Sequence, residues 1–138
     1  MRITVLGATG MAGTAVVNEA LSRGHEVTAV SRRRRHRAGA RLTSCILDVA
    51  DGESVAGLLH DSDAAVVALR PPAGHESDLA RLTTAVLDAA SRSRTPLLII
   101  GGAAPLRSPG DPGTLAIDDP TIVPPAWKDV AQASLDQF

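Results

Sequence analysis

Ile3-Thr4-Val5-Leu6-Gly7-Ala8-Thr9-Gly10-Met11-Ala12-Gly13 stands at the head of this chain. Its first four residues are apolar or β-branched and end at a glycine, which predicts a short buried strand. From Met11 to Arg23, the residues Ala15, Val16, Ala20 and Leu21 recur with polar Asn18, Glu19 and Ser22 between them. That spacing predicts a helix, and Gly24 predicts its stop. The glycines at 7, 10 and 13 therefore fall on a strand-to-helix junction.

Glycines placed there do specific physical work. Gly7 allows the tight turn off the strand. Gly10 lacks a Cβ, so a pyrophosphate can approach its backbone. Gly13 lets the helix pack close to the sheet. Free N–H groups at the helix start, around Met11 and Ala12, then face the anion. The spacing is GxxGxxG rather than the GxGxxG of the best-known dinucleotide fingerprint, but the physics is the same. Gly7, Thr9, Gly10, Met11, Ala12 and Gly13 are the candidate pyrophosphate-binding residues.

The same alternation continues along the chain. Strands are predicted at His25 to Ser31, Leu42 to Leu47, Ala64 to Leu69 and Pro96 to Ile100. Helices are predicted at Asp51 to His60, with Asp51 as N-cap and Val55, Leu58 and Leu59 inward, and at Glu76 to Arg92, with Leu79, Leu82, Val86 and Ala90 on one face. Leu106 to Pro125, rich in Pro, Gly and Asp, reads as a long irregular loop. A last helix is predicted from about Ala126 to Phe138, with Trp127, Ala131, Ser134, Leu135 and Phe138 on one face. Strands alternating with helices predict a parallel sheet with right-handed crossovers.

Composition agrees. There are 138 residues, the length of one domain, with one Trp, one Phe and no Tyr. The core is therefore aliphatic, as in strands covered on both faces. Fourteen basic against 15 acidic residues leave a net charge of −1, which argues against a nucleic-acid or membrane partner. The single Cys45 allows no internal disulfide and fits a reducing cytoplasm. It reads as a core strand residue. Met1-Arg2 leads straight into a strand without the apolar run of a signal peptide, and no stretch has the length of a membrane span. His25, His36, His60 and His75 lack metal-ligand spacing, and no structural metal is expected.

The choice of dinucleotide is read at the end of the second strand. An NAD site usually places an acid there to hold the ribose 2′-hydroxyl. This chain instead has Ser31 followed by Arg32-Arg33-Arg34-Arg35-His36-Arg37. Arginine at that point favours a 2′-phosphate through charge-assisted hydrogen bonds. NADP(H) is therefore expected over NAD(H), with Arg32 the leading contact and Arg33 the second. Arg34, Arg35 and Arg37 read as a solvated basic loop. Asp48 and Val49 follow the third strand, where a carboxylate can accept from the adenine amino group, although an Asp there serves equally as a turn or capping residue. Ala68, Leu69 and Arg70 end the fourth strand, on the edge where the nicotinamide-side ribose should pass.

The segment Gly7-Ala8-Thr9-Gly10-Met11-Ala12-Gly13, with Arg23-Gly24-His25-Glu26-Val27-Thr28-Ala29-Val30, resembles the atypical branch of the short-chain dehydrogenase/reductase superfamily. The likeness is to the small NAD(P)H-binding proteins grouped with biliverdin reductase B, bacterial NADH–flavin reductases and NmrA-type regulators. Gly101-Gly102-Ala103-Ala104 and Pro124-Pro125 share it. The resemblance implies a three-layer Rossmann fold with a mainly parallel sheet of about five strands, and hydride transfer to a flavin or similar conjugated acceptor. No catalytic residue is identified. The Tyr-x-x-x-Lys pair of the superfamily is absent because there is no Tyr, and Trp127 before Lys128 cannot donate a phenolic proton. Gly and Ala occupy the proton-donor position after the fifth strand, and Ser108 lies further on in the loop. A non-catalytic NAD(P) sensor of the NmrA type is the alternative. Related proteins run to roughly two hundred residues, the size of one doubly wound domain. The expectation is thus a single domain over residues 1–138, either complete at five strands or truncated with its C-terminal strands missing. Truncation would leave cofactor binding with an incomplete substrate site. The oligomeric state is left open, a homo-oligomer included.

Overall fold

β1 (Arg2–Leu6) lies at the centre of a sheet in the order β3-β2-β1-β4-β5, formed with β2 (Glu26–Ser31), β3 (Leu42–Ile46), β4 (Ala64–Val67) and β5 (Leu97–Ile99). Every pairing is parallel, with Val5 opposite Ala29 on one side and Val66 on the other. The helices are α1 (Met11–Ser22), α2 (Gly52–His60), α3 (Asp78–Ser93) and α4 (Lys128–Asp136). The computed structural model describes residues 1–33 and 39–137. These divide into two compact units, Met1–Arg70 with Thr84–Ile100, and Pro71–Thr83 with Gly101–Phe138.

The first unit holds the whole sheet. Val17 and Ala20 of α1 bury Val5, Val27 and Ala29 on one face of it. The alternate strand residues Leu6, Val30 and Val67 are also fully buried, so the sheet is covered on its other face too. Right-handed crossovers bring α2 and the Thr84–Ser93 part of α3 to that side. There Arg92 bonds to Glu53 and to the Gly52 carbonyl, and the Thr95 hydroxyl donates to the Leu59 carbonyl at 2.8 Å. The outer strands are less protected, with Ile46 56% and Leu98 62% exposed.

Local chemistry explains most element ends. The Asp51 carboxylate accepts the Ser54 N–H, the N-cap expected for α2. α1 ends at Gly24, φ +79°, where the His25 N–H reaches the Ala20 carbonyl and the Gly24 N–H the Leu21 carbonyl. α3 ends in the same pattern, Thr95 to Ala90 and Arg94 to Ser91, but with Arg94 at φ +54° in the left-handed position.

Several expectations need correction. Gly13 is buried as expected, but Ala15 is exposed and Val17 is buried, because α1 lies on the sheet along its 13–17–20 stripe. β4 stops at Val67 rather than Leu69, and β5 spans only Leu97–Ile99. α3 starts at Asp78, since the preceding turn is made of isolated Asp78–His75 and Leu79–Glu76 bonds. Trp127 belongs to a 3-10 turn, Pro125–Trp127, and is 56% exposed, while Ala131, Ala133 and Ser134 form the buried face of α4. Phe138 lies outside the described residues.

In the second unit the 106–125 segment is a long loop without strand or α-helix, as expected, but it is internally bonded. It holds an Arg107–Leu115 bridge and a 3-10 turn, Ala116–Asp118. Ile117 packs with Ala104 and Ala131, and the Lys128 ammonium donates to the Ile117 carbonyl at 2.6 Å. Hydroxyls of Thr121 and Ser108, with the Thr121 N–H, hold the Asp119 carboxyl below its usual range; Thr114 and the Gly113 N–H do the same for Asp111. Gly102 packs against Ser134, and a Cβ there would meet the Ser134 Cβ at 2.7 Å.

Arg94 pays a left-handed penalty that glycine would not. Arg94→Gly should therefore stabilise the chain by about 1 kcal/mol, less a few tenths for the freer unfolded state. Urea unfolding with an unchanged slope and a raised midpoint checks this.

Candidate dinucleotide site

The strand order reverses between β1 and β4, and the chain leaves β1 at that point through the glycine loop. Gly7 has φ +84°, and a Cβ on it would meet the carbonyl carbon of Ala68 at 2.8 Å. Both the angle and the contact demand glycine. Gly13 is equally constrained, since its Cβ would sit 2.9 Å from the Ala8 Cα and run into the Gly7 carbonyl. Gly10 differs. Its φ is −74°, and a Cβ would make only an ordinary contact, 3.4 Å from the Gly7 oxygen. The protein itself does not need glycine there, and Gly10 is exposed. A ligand lying against the backbone would need it, so the cradle fits a dinucleotide pyrophosphate.

α1 starts open to that cradle. Gly10 is its N-cap and supplies no side-chain cap, and the first turn carries no acid. The first helix-type bond runs from Thr14 N–H to the Gly10 carbonyl at 2.9 Å. The N–H groups of Met11, Ala12 and Gly13 precede it and have no acceptor within the helix. They and the positive end of the helix dipole suit an anion. Thr9 is half-buried in the turn, Ala12 is half-buried, and Met11 is 93% exposed beside the loop.

The loop is tied to β2. The Val30 carbonyl accepts from both the Gly7 N–H, at 3.1 Å, and the Ala8 N–H, at 3.0 Å. The Thr14 hydroxyl donates to the Ala8 carbonyl at 3.1 Å. The residues after Val30 thus leave the sheet at a fixed place beside the glycine loop. Ser31 is 8% exposed there and Arg32 and Arg33 are exposed. Arg34, Arg35 and Arg37 lie outside the described residues.

Asp48 and Val49 follow β3. Asp48 is exposed and its carboxylate accepts the Ala50 N–H at 3.0 Å, closing a turn; Val49 is buried. One Asp48 oxygen is thereby used in shaping the chain. Ala68 and Leu69 are half-buried and Arg70 is exposed at the end of β4, where the Ala68 N–H bonds to the Leu6 carbonyl at 2.8 Å. All four groups of candidate residues follow the carboxyl ends of their strands within the first unit. Sequence reasoning missed Val30 and Thr14. Val30 acts through its carbonyl, which no side-chain pattern reveals, and Thr14 looked like any helix residue.

A parallel sheet in this order, with an uncapped, glycine-lined helix start at its switch point, defines a Rossmann-type dinucleotide-binding protein. The NAD(P)H-binding family model matches residues 7–135, and the chain belongs to that family. Among solved structures it is similar to a "putative exported protein" of Burkholderia pseudomallei, with 33% identity, TM-score 0.82, and coverage of 99% of this chain and 64% of that one. It is similar to a "putative NADH-flavin reductase" of Streptococcus pneumoniae TIGR4, with 28% identity, TM-score 0.79, and coverage of 99% and 63%. A "putative epimerase" of Bacteroides thetaiotaomicron matches with 28% identity, TM-score 0.84, and coverage of 96% and 60%. The chain thus spans less than two thirds of the length of each of these structures. No curated protein matches it. No helix among the described residues is long and apolar enough to cross a membrane.

The three glycines should separate on mutation. Gly7→Ala and Gly13→Ala should lower the melting temperature sharply, because backbone must move. Gly10→Ala, which at the N-cap costs only a modest loss of cap preference, should change the melting temperature far less than either and lose dinucleotide affinity. Thermal melts with and without NADPH distinguish the two behaviours.

Proposed function

We propose that this chain is an NAD(P)H-binding oxidoreductase that passes a hydride to a flavin or similar conjugated acceptor, with NADP(H) preferred to NAD(H). The observation that carries the reading is the Gly10 cradle, a glycine with no internal reason to be one, facing an uncapped helix start. The 28% identity to the structure named as a putative NADH-flavin reductase supports the acceptor class.

In this reading the N–H groups of Met11, Ala12 and Gly13 bind the pyrophosphate, with Thr9 and Gly10 shaping the approach. Arg32, backed by Arg33, binds the 2′-phosphate, since β2 ends in Ser31 and presents no carboxylate to a 2′-hydroxyl. Asp48 and Val49 border the adenine, and Ala68, Leu69 and Arg70 border the ribose on the nicotinamide side. The bound nicotinamide supplies the hydride, so the chain needs only to orient it. That fits a sequence without Tyr, which cannot supply the phenolic proton donor of an alcohol dehydrogenase. The missing Tyr also favours a second reading, a sensor that binds NAD(P) without turnover. Cys45 as the sole cysteine supports a cytoplasmic setting.

Two measurements decide. NADPH should be oxidised when FMN is added to the purified chain; tight binding without oxidation selects the sensor. Arg32→Ala should weaken NADPH by roughly 1–3 kcal/mol, the worth of hydrogen bonds to a charged group, and leave NADH nearly unchanged. Equal weakening of both in calorimetric titration would remove the case for NADP(H).

A further inference from the structure

Arg32 is flanked by two anchored neighbours. On one side, the Ser31 carbonyl still belongs to the sheet and accepts the Leu47 N–H at 3.2 Å. On the other, the Ser31 hydroxyl donates to the Arg33 carbonyl at 2.6 Å. The serine thus reaches over Arg32 and closes a short turn as the chain leaves β2. Only 8% of Ser31 is exposed, so the donor side of this bond is largely covered, while Arg33 on the acceptor side is exposed. One residue earlier, the Val30 carbonyl holds Gly7 and Ala8. A run of three residues therefore registers the backbone of Arg32 against the glycine loop.

We propose that Ser31 is a positioning residue for recognition of a 2′-phosphate: it holds the Arg32 backbone so that only the side chain of Arg32 must order when the phosphate arrives. This rests on the reading of Arg32 given above. The role is indirect for a chemical reason. A hydroxyl has one proton to donate, and that of Ser31 goes to the Arg33 carbonyl. Holding the turn in the free protein lowers the ordering cost of binding, which is the general route by which preorganisation raises affinity. A ligand without the 2′-phosphate makes no use of Arg32, so the benefit belongs to 2′-phosphorylated ligands alone.

The test uses the whole chain and two small probes, 2′,5′-ADP and 5′-ADP, with affinities from calorimetry. Ser31→Thr and Ser31→Val form a nearly isosteric pair, one with the hydroxyl and one without it. Ser31→Val should lose about fivefold in 2′,5′-ADP affinity, the scale of one hydrogen bond, with 5′-ADP unchanged. Ser31→Thr should keep the parent's ratio between the probes. Ser31→Ala, which adds no bulk, repeats the Val arm if Val disturbs the packing. A parent that prefers 2′,5′-ADP, with Val and Ala variants that keep that preference in full, overturns the role of Ser31 and leaves Arg32 standing. Equal loss of both probes also overturns it, since that marks a merely structural residue. A parent with no preference for 2′,5′-ADP overturns the reading of Arg32, and the role of Ser31 with it.

Discussion

At the end of β1 the backbone of Gly7 lies against the carbonyl of Ala68 on one side and donates to the carbonyl of Val30 on the other. β4 and β2 therefore both reach the first turn of the chain. A side chain at position 7 would separate β1 from the end of β4. Loss of the Val30 bonds would free the loop from β2. The anion cradle, the strand that leads into Arg32 and the strand that leads into Ala68 are held together by this contact between backbones. That is why the constraint is written as a glycine rather than as an ion pair.

The three glycines of the loop consequently do different work. Gly7 and Gly13 serve the fold, because β4 and the strand-to-helix turn press against them. Gly10 is free of such pressure and presents its bare backbone outward. Folding and binding are therefore separable within seven residues. The uncapped start of α1 has the same character. A capping side chain in place of the glycine would stabilise the helix by only about a few tenths of a kcal/mol. Its absence leaves donors available to a ligand, and local stability is given up at the site of function.

The second unit is organised by different forces. Its long segment after Leu106 is rich in turn-forming residues, yet it buries Ala116 and Ile117 and fastens them with Lys128 and the Ser108–Asp119 bond. Aspartates that look solvent-directed in the sequence act there as acceptors for nearby hydroxyls and N–H groups. Only the partners across the turn reveal such a use.

The sequence by itself determined the alternation of strands and helices, the glycine loop and the absence of an acid after β2. These are local features, set by hydrophobic period and by residues that only certain backbone angles accept. The stops at Gly24 and the Asp51 cap were legible for the same reason. The tertiary structure decided the rest. Whether Ala15 or Val17 faces the sheet depends on how α1 is rotated about its axis, and whether Trp127 is buried depends on the turn before α4. That Gly7 is crowded depends on Ala68, far along the chain, while Gly13 is crowded by Gly7 and Ala8 within the turn, and Gly10 escapes both. That Ser31 braces Arg32 depends on where the strand releases the backbone. Such facts depend on the exact path and rotation of the folded backbone, and the periodicity of a single segment does not encode them.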